Sequence, residues 1–267
     1  MLFRSVFDLD WLAVFLAENH QRVALISLMW VNNETGVIAD IAAITQLANQ
    51  HSIPVHSDAV AAFGHIDIDF GASGLAAMSI SGHKIGGPVG TGALLVGRSI
   101  KLTSLVHGGG QERGLRSGTM DSAGAEAFAL AAELAIPEIS SETERLARLG
   151  HKLTAEIQAI APDAVLSRGD ATGLPGTVHF TFPGCSADSM IFLLDAAGVS
   201  VSAGSACTAG VNRPSHVLLA MGRSEDEATG ALRITLGYTT TESDIDHFLT
   251  AFPAVHAAAK KAGLPSK

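Results

Sequence analysis

Apolar residues recur along this chain with two different periods. Residues 23–31, VALISLMWV, are nearly continuously apolar, the pattern of a strand covered on both faces of a parallel sheet. Residues 40–51, DIAAITQLANQH, place Ile41, Ile44, Leu47 and Ala48 on one face at a 3.6-residue period, which predicts an amphipathic helix with Asp40 at its start. The next piece, IPVHSD at 53–58, is a short strand ending on a carboxylate. Strand, helix, strand makes a βαβ unit. Open α/β sheets bind ligands beyond the carboxyl ends of their strands, which puts Asp58 at a ligand edge.

Two further strands, AMSIS at 77–81 and TGALLV at 91–96, follow, and a small-residue helix is predicted from Ser122 to about Ala135. The stretch IPEISSET at 136–143 reads as a boundary. Beyond it come a long helix over 142–160, an alternating strand GTVHFTF at 176–182, a helix over 187–197, strands at 199–202 and 232–236, and a closing helix from Thr241. The expected organisation is an α/β chain in two domains. Residues 1–138 form a mostly parallel large-domain sheet, and residues 139–267 a smaller α+β domain.

Composition narrows the function. A chain of 267 residues, 47% hydrophobic, can bury a sizeable core, and a net charge of -9 argues against nucleic acid as a partner. The two cysteines, Cys185 and Cys207, lack metal-ligand or disulfide-framework spacing, which points to a reducing cytoplasm. The first apolar stretch is broken by Asp8, Asp10, Glu18 and Arg22, so no membrane span is expected.

The candidate chemistry centres on SISGHKIGGPVG, residues 79–90. Its glycines follow Lys84 rather than precede it, which removes a nucleotide-binding P-loop. A lone lysine here reads as a surface charge. Lys84 however follows a strand, and Asp58 ends an earlier one. An amine and a carboxylate at one sheet edge are what pyridoxal phosphate requires, the first for covalent attachment and the second for the pyridine nitrogen.

Six segments in order, VNNETGV (31–37), HSDAV (56–60), SGHKIGGPVGTGAL (81–94), HGGGQERGLRSGT (107–119), SAGSACTAG (202–210) and LRITLG (232–237), resemble the cysteine desulfurases of the class-V aminotransferase family. The resemblance implies fold type I of the pyridoxal phosphate enzymes. It implies that Lys84 binds the cofactor and moves the substrate's Cα proton, that Asp58 holds the pyridine nitrogen, that Asn33 lies against the phenolic oxygen, and that Ser81 and His83 hold the phosphate. Thr119 would supply a phosphate contact across a homodimer. Arg233 would bind the carboxylate of L-cysteine, and Cys207 would take its sulfur as a persulfide, leaving L-alanine. The persulfide is then passed to a sulfur-acceptor or iron-sulfur scaffold protein, serving cluster assembly or tRNA thiolation, with an iron-sulfur contact at Cys207. Cys185 reads as structural, and His56 and His107 as hydrogen-bonded rather than metal-binding.

The chain departs from the family in two places. Ala61 replaces a glutamine expected to bond the phenolic oxygen, a loss of about 1 kcal/mol. Family members also extend further at the N-terminus, where the phosphate-cupping loop and the ring-stacking histidine are expected, so the sequence reads as N-terminally truncated. Rival readings are another class-V activity, selenocysteine lyase or aminotransferase, and a non-catalytic fragment.

Overall fold

The computed structural model describes residues 6–204 and 214–262. Contacts group the chain into two compact units. One comprises Leu9–Trp30 and Asp40–Ile139, and the other combines residues up to Asp8, Val31–Ala39 and those from Ser140 onward. The chain thus leaves the first unit at Val31 and re-enters it at Asp40, an excursion that local patterning does not announce.

The first unit opens with α1 (Leu9–Asn19), which buries Leu12 and Leu16. Then come β1 (Ile26–Met29), α2 (Ile41–Asn49), β2 (Val55–Asp58), β3 (Ala77–Ser81) and β4 (Gly92–Val96). Helix α2 begins where its cap predicts: the Asp40 carboxylate accepts from the Ala43 amide at 2.9 Å. It buries Ile41, Ile44, Thr45 and Ala48. The sheet runs β1-β2-β3-β4, parallel across its first three strands and antiparallel at β4. The apolar run around β1 is less covered than its pattern suggests, with Leu25 52% and Met29 43% exposed. The reason is position, since β1 pairs with β2 alone and forms an edge of this sheet.

Helix α3 (Ser122–Ile160) corrects a second expectation, because it runs for 39 residues straight through Pro137. The stretch 136–143 expected as a boundary is helical rather than a break between two helices, while the division between the two units falls inside it, between Ile139 and Ser140. A proline inside a helix costs about 3 kcal/mol through its lost N–H and a clash with the preceding turn. Buried residues on both sides of Pro137, Ala131 before it and Leu153 and Ile157 after it, offset that cost.

In the second unit β5 (Val165–Leu166), β6 (Thr177–Thr181), α4 (Ala187–Ala196), β7 (Ser202–Ala203), α5 (His216–Ala220), α6 (Glu225–Thr229), β8 (Ala231–Thr235) and α7 (Glu242–Lys261) follow in order. Its antiparallel sheet runs β5-β6-β8-β7. Phe180, Phe182, Leu232, Met190, Leu194, Phe248 and Phe252 pack with Leu153 and Ile157 as its core. Alternation in β6 predicts one wet face, yet all five residues are buried. The polar face carries Thr177, His179 and Thr181, and the 32–37 turn lies on it. At Gly36, with φ of +74°, a β-carbon would fall 2.8 Å from the Thr177 β-carbon, so only glycine lets this turn approach so closely.

Candidate active site

Asp58 closes β2 and pairs in register with Ser79 of β3, so the chain segment from Ser81 to Lys84 emerges beside it at the carboxyl ends of parallel strands. One Asp58 oxygen accepts the Val60 amide at 3.0 Å, which fixes the carboxyl group and leaves its second oxygen for a cationic ring nitrogen. After β3 the chain makes a single 3-10 turn, Gly82–Lys84, with Lys84 exposed at its end. The Ile85 amide at 3.1 Å and the Gly87 amide at 2.9 Å both bond back to the Gly82 carbonyl.

Ser81 and His83 are joined by a 2.7 Å hydrogen bond between Oγ and Nδ1. The Ser81 hydroxyl also bonds the Thr91 carbonyl at 3.1 Å. A carbonyl only accepts, so the Ser81 proton points to Thr91, and Nδ1–H of His83 donates to Ser81. This leaves Nε2 of His83 as the ring nitrogen open to a ligand. Thr119 is exposed in the loop between β4 and α3. An acid for a ring nitrogen, an amine for a carbonyl carbon, and an imidazole whose Nε2, when it too carries a proton, donates to a phosphate fit pyridoxal phosphate by the chemistry of the donor set. The Ser81 hydroxyl joins that phosphate only by turning its proton away from the Thr91 carbonyl.

The remaining site residues belong to the second unit. Arg233 sits mid-strand in β8, paired in register with His179 of β6 and Ser202 of β7. Its Nη1 donates to the carbonyl of Asn33 at 2.8 Å, so these two expected residues touch. The Asn33 carbonyl is held in a tight turn in which the Asn32 side-chain oxygen accepts the amides of Glu34 at 3.0 Å and Thr35 at 2.9 Å. Arg233 Nε is buried without a partner among the described residues, and so is His179 Nε2. A guanidinium with an unsatisfied N–H is a ready receptor for a carboxylate. Burial, and secondarily the Arg233 charge, pushes the His179 pKa down to about 4, so the imidazole is neutral at pH 7. Its Nδ1 bonds Ser167 Oγ at 2.7 Å.

Asp58, Ser81, His83, Lys84 and Thr119 therefore lie in one unit, Asn33 and Arg233 in the other, and Cys207, together with its expected iron-sulfur contact, outside the described residues. Cys185 is 2% exposed, and desolvation raises its thiol pKa above the ordinary value, which suits an inert core residue. His56 ties three parallel strands together, bonding Ser27 Oγ and Ser79 Oγ at 2.9 Å each. Among the described residues no group of three or more metal-ligating side chains converges. None of their helices is long and apolar enough to cross a membrane.

Pattern reading did not point to three residues that bond close to the expected ones. Glu34 and Ser215, both buried, are joined by a hydrogen bond donated by Ser215 Oγ, although 181 positions separate them in sequence. The third is His65, whose Nε2 lies 3.1 Å from the Lys84 carbonyl. Its signal was a histidine placed after a glycine in DAVAAFGH, close behind Asp58.

A parallel-strand edge that presents a lysine beyond one strand and an aspartate at the end of its neighbour marks the class as a fold type I pyridoxal phosphate enzyme. The chain belongs to the aminotransferase class-V family, whose model matches residues 9–248, and pyridoxal phosphate is the cofactor of that family. An IscS-like cysteine desulfurase from Mycobacterium tuberculosis is 48% identical over 248 residues, 92% of this chain. The chain spans 63% of that relative's length. Azotobacter vinelandii cysteine desulfurase NifS is 36% identical over 94% of this chain and 61% of its own length. Among solved structures, a NifS-like protein from Rickettsia africae superposes with a TM-score of 0.88 at 33% identity, covering 96% of this chain and 68% of that one.

Proposed function

We propose that this chain carries out the chemistry of a cysteine desulfurase, converting L-cysteine to L-alanine and leaving the sulfur as a persulfide on Cys207. The observation that carries this reading is the Lys84 turn beginning beside Asp58, supported by relatives named cysteine desulfurases at 36–48% identity. Pyridoxal phosphate, when bound, supplies the electron sink that makes removal of the substrate's Cα proton accessible. Lys84 Nζ would hold the cofactor covalently and, as a free amine, would accept the Cα proton of the substrate. Asp58 keeps a proton on the ring nitrogen. Ser81 and His83 orient the phosphate, Asn33 the phenolic oxygen, and Arg233 holds the substrate carboxylate in a two-pronged grip. The Cys207 thiolate attacks the substrate sulfur, forming an S–S bond as the Cβ–S bond breaks.

The same reading assigns residues 1–138 to the cofactor domain and 139–267 to the small domain. It makes the protein a cytoplasmic homodimer in which Thr119 reaches the partner's phosphate site. The persulfide is handed to a sulfur acceptor or iron-sulfur scaffold protein, and Cys207 contacts the nascent cluster through that sulfur. To test the activity, the protein is loaded with pyridoxal phosphate and given L-cysteine, and alanine and sulfide are quantified. The two should appear in equal amounts with a reductant present, and Cys207→Ser should keep the cofactor's visible band while losing sulfide release. Sulfide release at the parental rate from that variant would remove Cys207 from the reaction. Turnover of selenocysteine alone, or amino-group transfer without sulfide, would assign one of the sister activities instead.

A further inference from the structure

Segment 59–66 connects the Asp58 end of β2 to the underside of the Lys84 turn, and its packing is unusually close. The Ala59 amide bonds the Ser79 carbonyl at 2.9 Å, and the amides of Phe63 at 2.8 Å and Ala62 at 3.0 Å return to the Ala59 carbonyl. The amides of His65 at 3.0 Å and Ile66 at 3.1 Å return to Ala62. Gly64 has φ of +75°, and a β-carbon there would come 2.5 Å from Ile85 Cγ2, the side chain directly after Lys84. Glycine is required at 64 both for that backbone conformation and for that approach. Phe63 meets Phe128 of α3 edge-on at 6.0 Å, and a β-carbon on Gly82 would sit 3.2 Å from the same Phe128 ring. The tight segment thus delivers His65 to one particular atom, the Lys84 carbonyl oxygen, at 3.1 Å.

We propose that His65 is a positioning residue for Lys84: its Nε2–H clamps the carbonyl of the residue whose amine binds the cofactor, and so fixes where that amine is presented. This rests on the reading of Lys84 as the cofactor lysine. Because a carbonyl can only accept, Nε2 must carry the proton, which in the neutral ring makes Nδ1 the acceptor. The ring works without adding charge. Desolvation lowers its pKa below the ordinary histidine value, the bond to the Lys84 carbonyl acts in the opposite sense, and the Lys84 ammonium lowers it further. A neutral donor can hold the backbone both while the amine is attached to the cofactor and after it is released, whereas a cation beside Lys84 would disfavour the protonated amine in the second state.

The test uses the full chain loaded with pyridoxal phosphate, comparing His65→Phe, His65→Ala and His65→Gln. Glutamine's side-chain nitrogen reaches about as far as Nε2 and restores the donor without the ring. The first readout is the circular dichroism of the cofactor's visible band per bound cofactor, because that signal reports how rigidly Lys84 orients the ring. His65→Phe and His65→Ala should keep the absorbance, lose most of the visible dichroism, and lower kcat about tenfold, the worth of one hydrogen bond at about 1.4 kcal/mol per decade. KM for cysteine should move less than twofold. His65→Gln should return both signals to within about twofold of the parent. Unchanged dichroism in His65→Phe or His65→Ala overturns the proposal. A glutamine variant behaving like the alanine one overturns it too, and that arm stands even where the others fold poorly. Borohydride fixation followed by peptide mapping separates the two claims. A label on Lys84 with unchanged dichroism in the variants sinks the His65 clamp alone, while a label elsewhere sinks the lysine assignment itself.

Discussion

Lys84 and Arg233 each follow apolar strand residues, and the chain holds them in opposite ways. Lys84 is exposed on a three-residue turn beyond the end of β3, and the bond that steadies its backbone comes from His65, on a separate segment. Arg233 is the middle residue of a five-residue strand, flanked in register by neighbours on both sides and tied at 2.8 Å to the Asn33 carbonyl. Under the proposed reaction the difference follows from the work. An amine that must attach, detach and carry a proton needs a pivot, and a guanidinium that only grips a carboxylate gains from rigidity.

The contrast breaks first at Lys84. Lys84→Ala should leave no cofactor fixable by borohydride and should reduce alanine formation from cysteine by about 1000-fold or more, since it removes both the attachment point and the proton acceptor. Chromatographic quantification of alanine checks this, and a variant within tenfold of the parent would transfer the base role to another residue.

The next effect belongs to the rigid region and is one of stability. His179 falls from 6.5 to about 4 in the folded protein, so between those values the unfolded chain binds more protons than the native one. Stability contributed by keeping this ring neutral is therefore present above pH 6.5 and lost as pH falls toward 4, by about 3 kcal/mol in total. Denaturant melts of the parent and of His179→Asn across that window should diverge, with the variant showing the shallower decline. Parallel curves would mean that His179 is not what acid attacks. On the Lys84 side His65 is lowered in the same direction by desolvation, so its charging adds to the acid loss, and by less because the ring keeps solvent contact.

A smaller change separates holding cofactor from holding substrate. Arg233→Lys should keep the visible band and raise KM for cysteine about 10- to 100-fold, the cost of about 1.5–3 kcal/mol for losing a charge-assisted, two-pronged contact. A weaker visible band in this variant, with KM unmoved, would mean that Arg233 serves the cofactor.

Sequence legibility divides along the same line. Asp58 and Lys84 were visible because strand ends are local features, marked by an apolar run that stops at a polar residue. The cap at Asp40 and the buried face of α2 were visible for the same reason. What local pattern could not show is what long-range packing decides. The covering of the polar face of β6 depends on a turn more than 130 positions away in the chain. The pairing of Glu34 with Ser215, the passage of α3 through Pro137, and the edge position of β1 are likewise outcomes of tertiary contacts. His65 falls between the two. Its position after Gly64 could be read, but its partner, a backbone carbonyl, leaves no mark on sequence.

The least effect is expected at Ala61, which sits three residues past Asp58 in the segment that ends on His65, and which is half-buried. The family resemblance places a glutamine there, donating to the cofactor's phenolic oxygen. One neutral hydrogen bond is worth about 1 kcal/mol net, so Ala61→Gln should tighten pyridoxal phosphate about fivefold. Spectral titration of the stripped protein with cofactor measures this directly. The side chain would leave the segment between its return bonds to Ala59 and Ala62, so the backbone path to His65 should stay as it is. A gain in affinity with unchanged visible dichroism would thus show that binding strength and lysine orientation are set by different residues of one short turn. If affinity fell instead, the segment's packing would already be full at position 61, and alanine there would be a requirement of the clamp that presents Lys84.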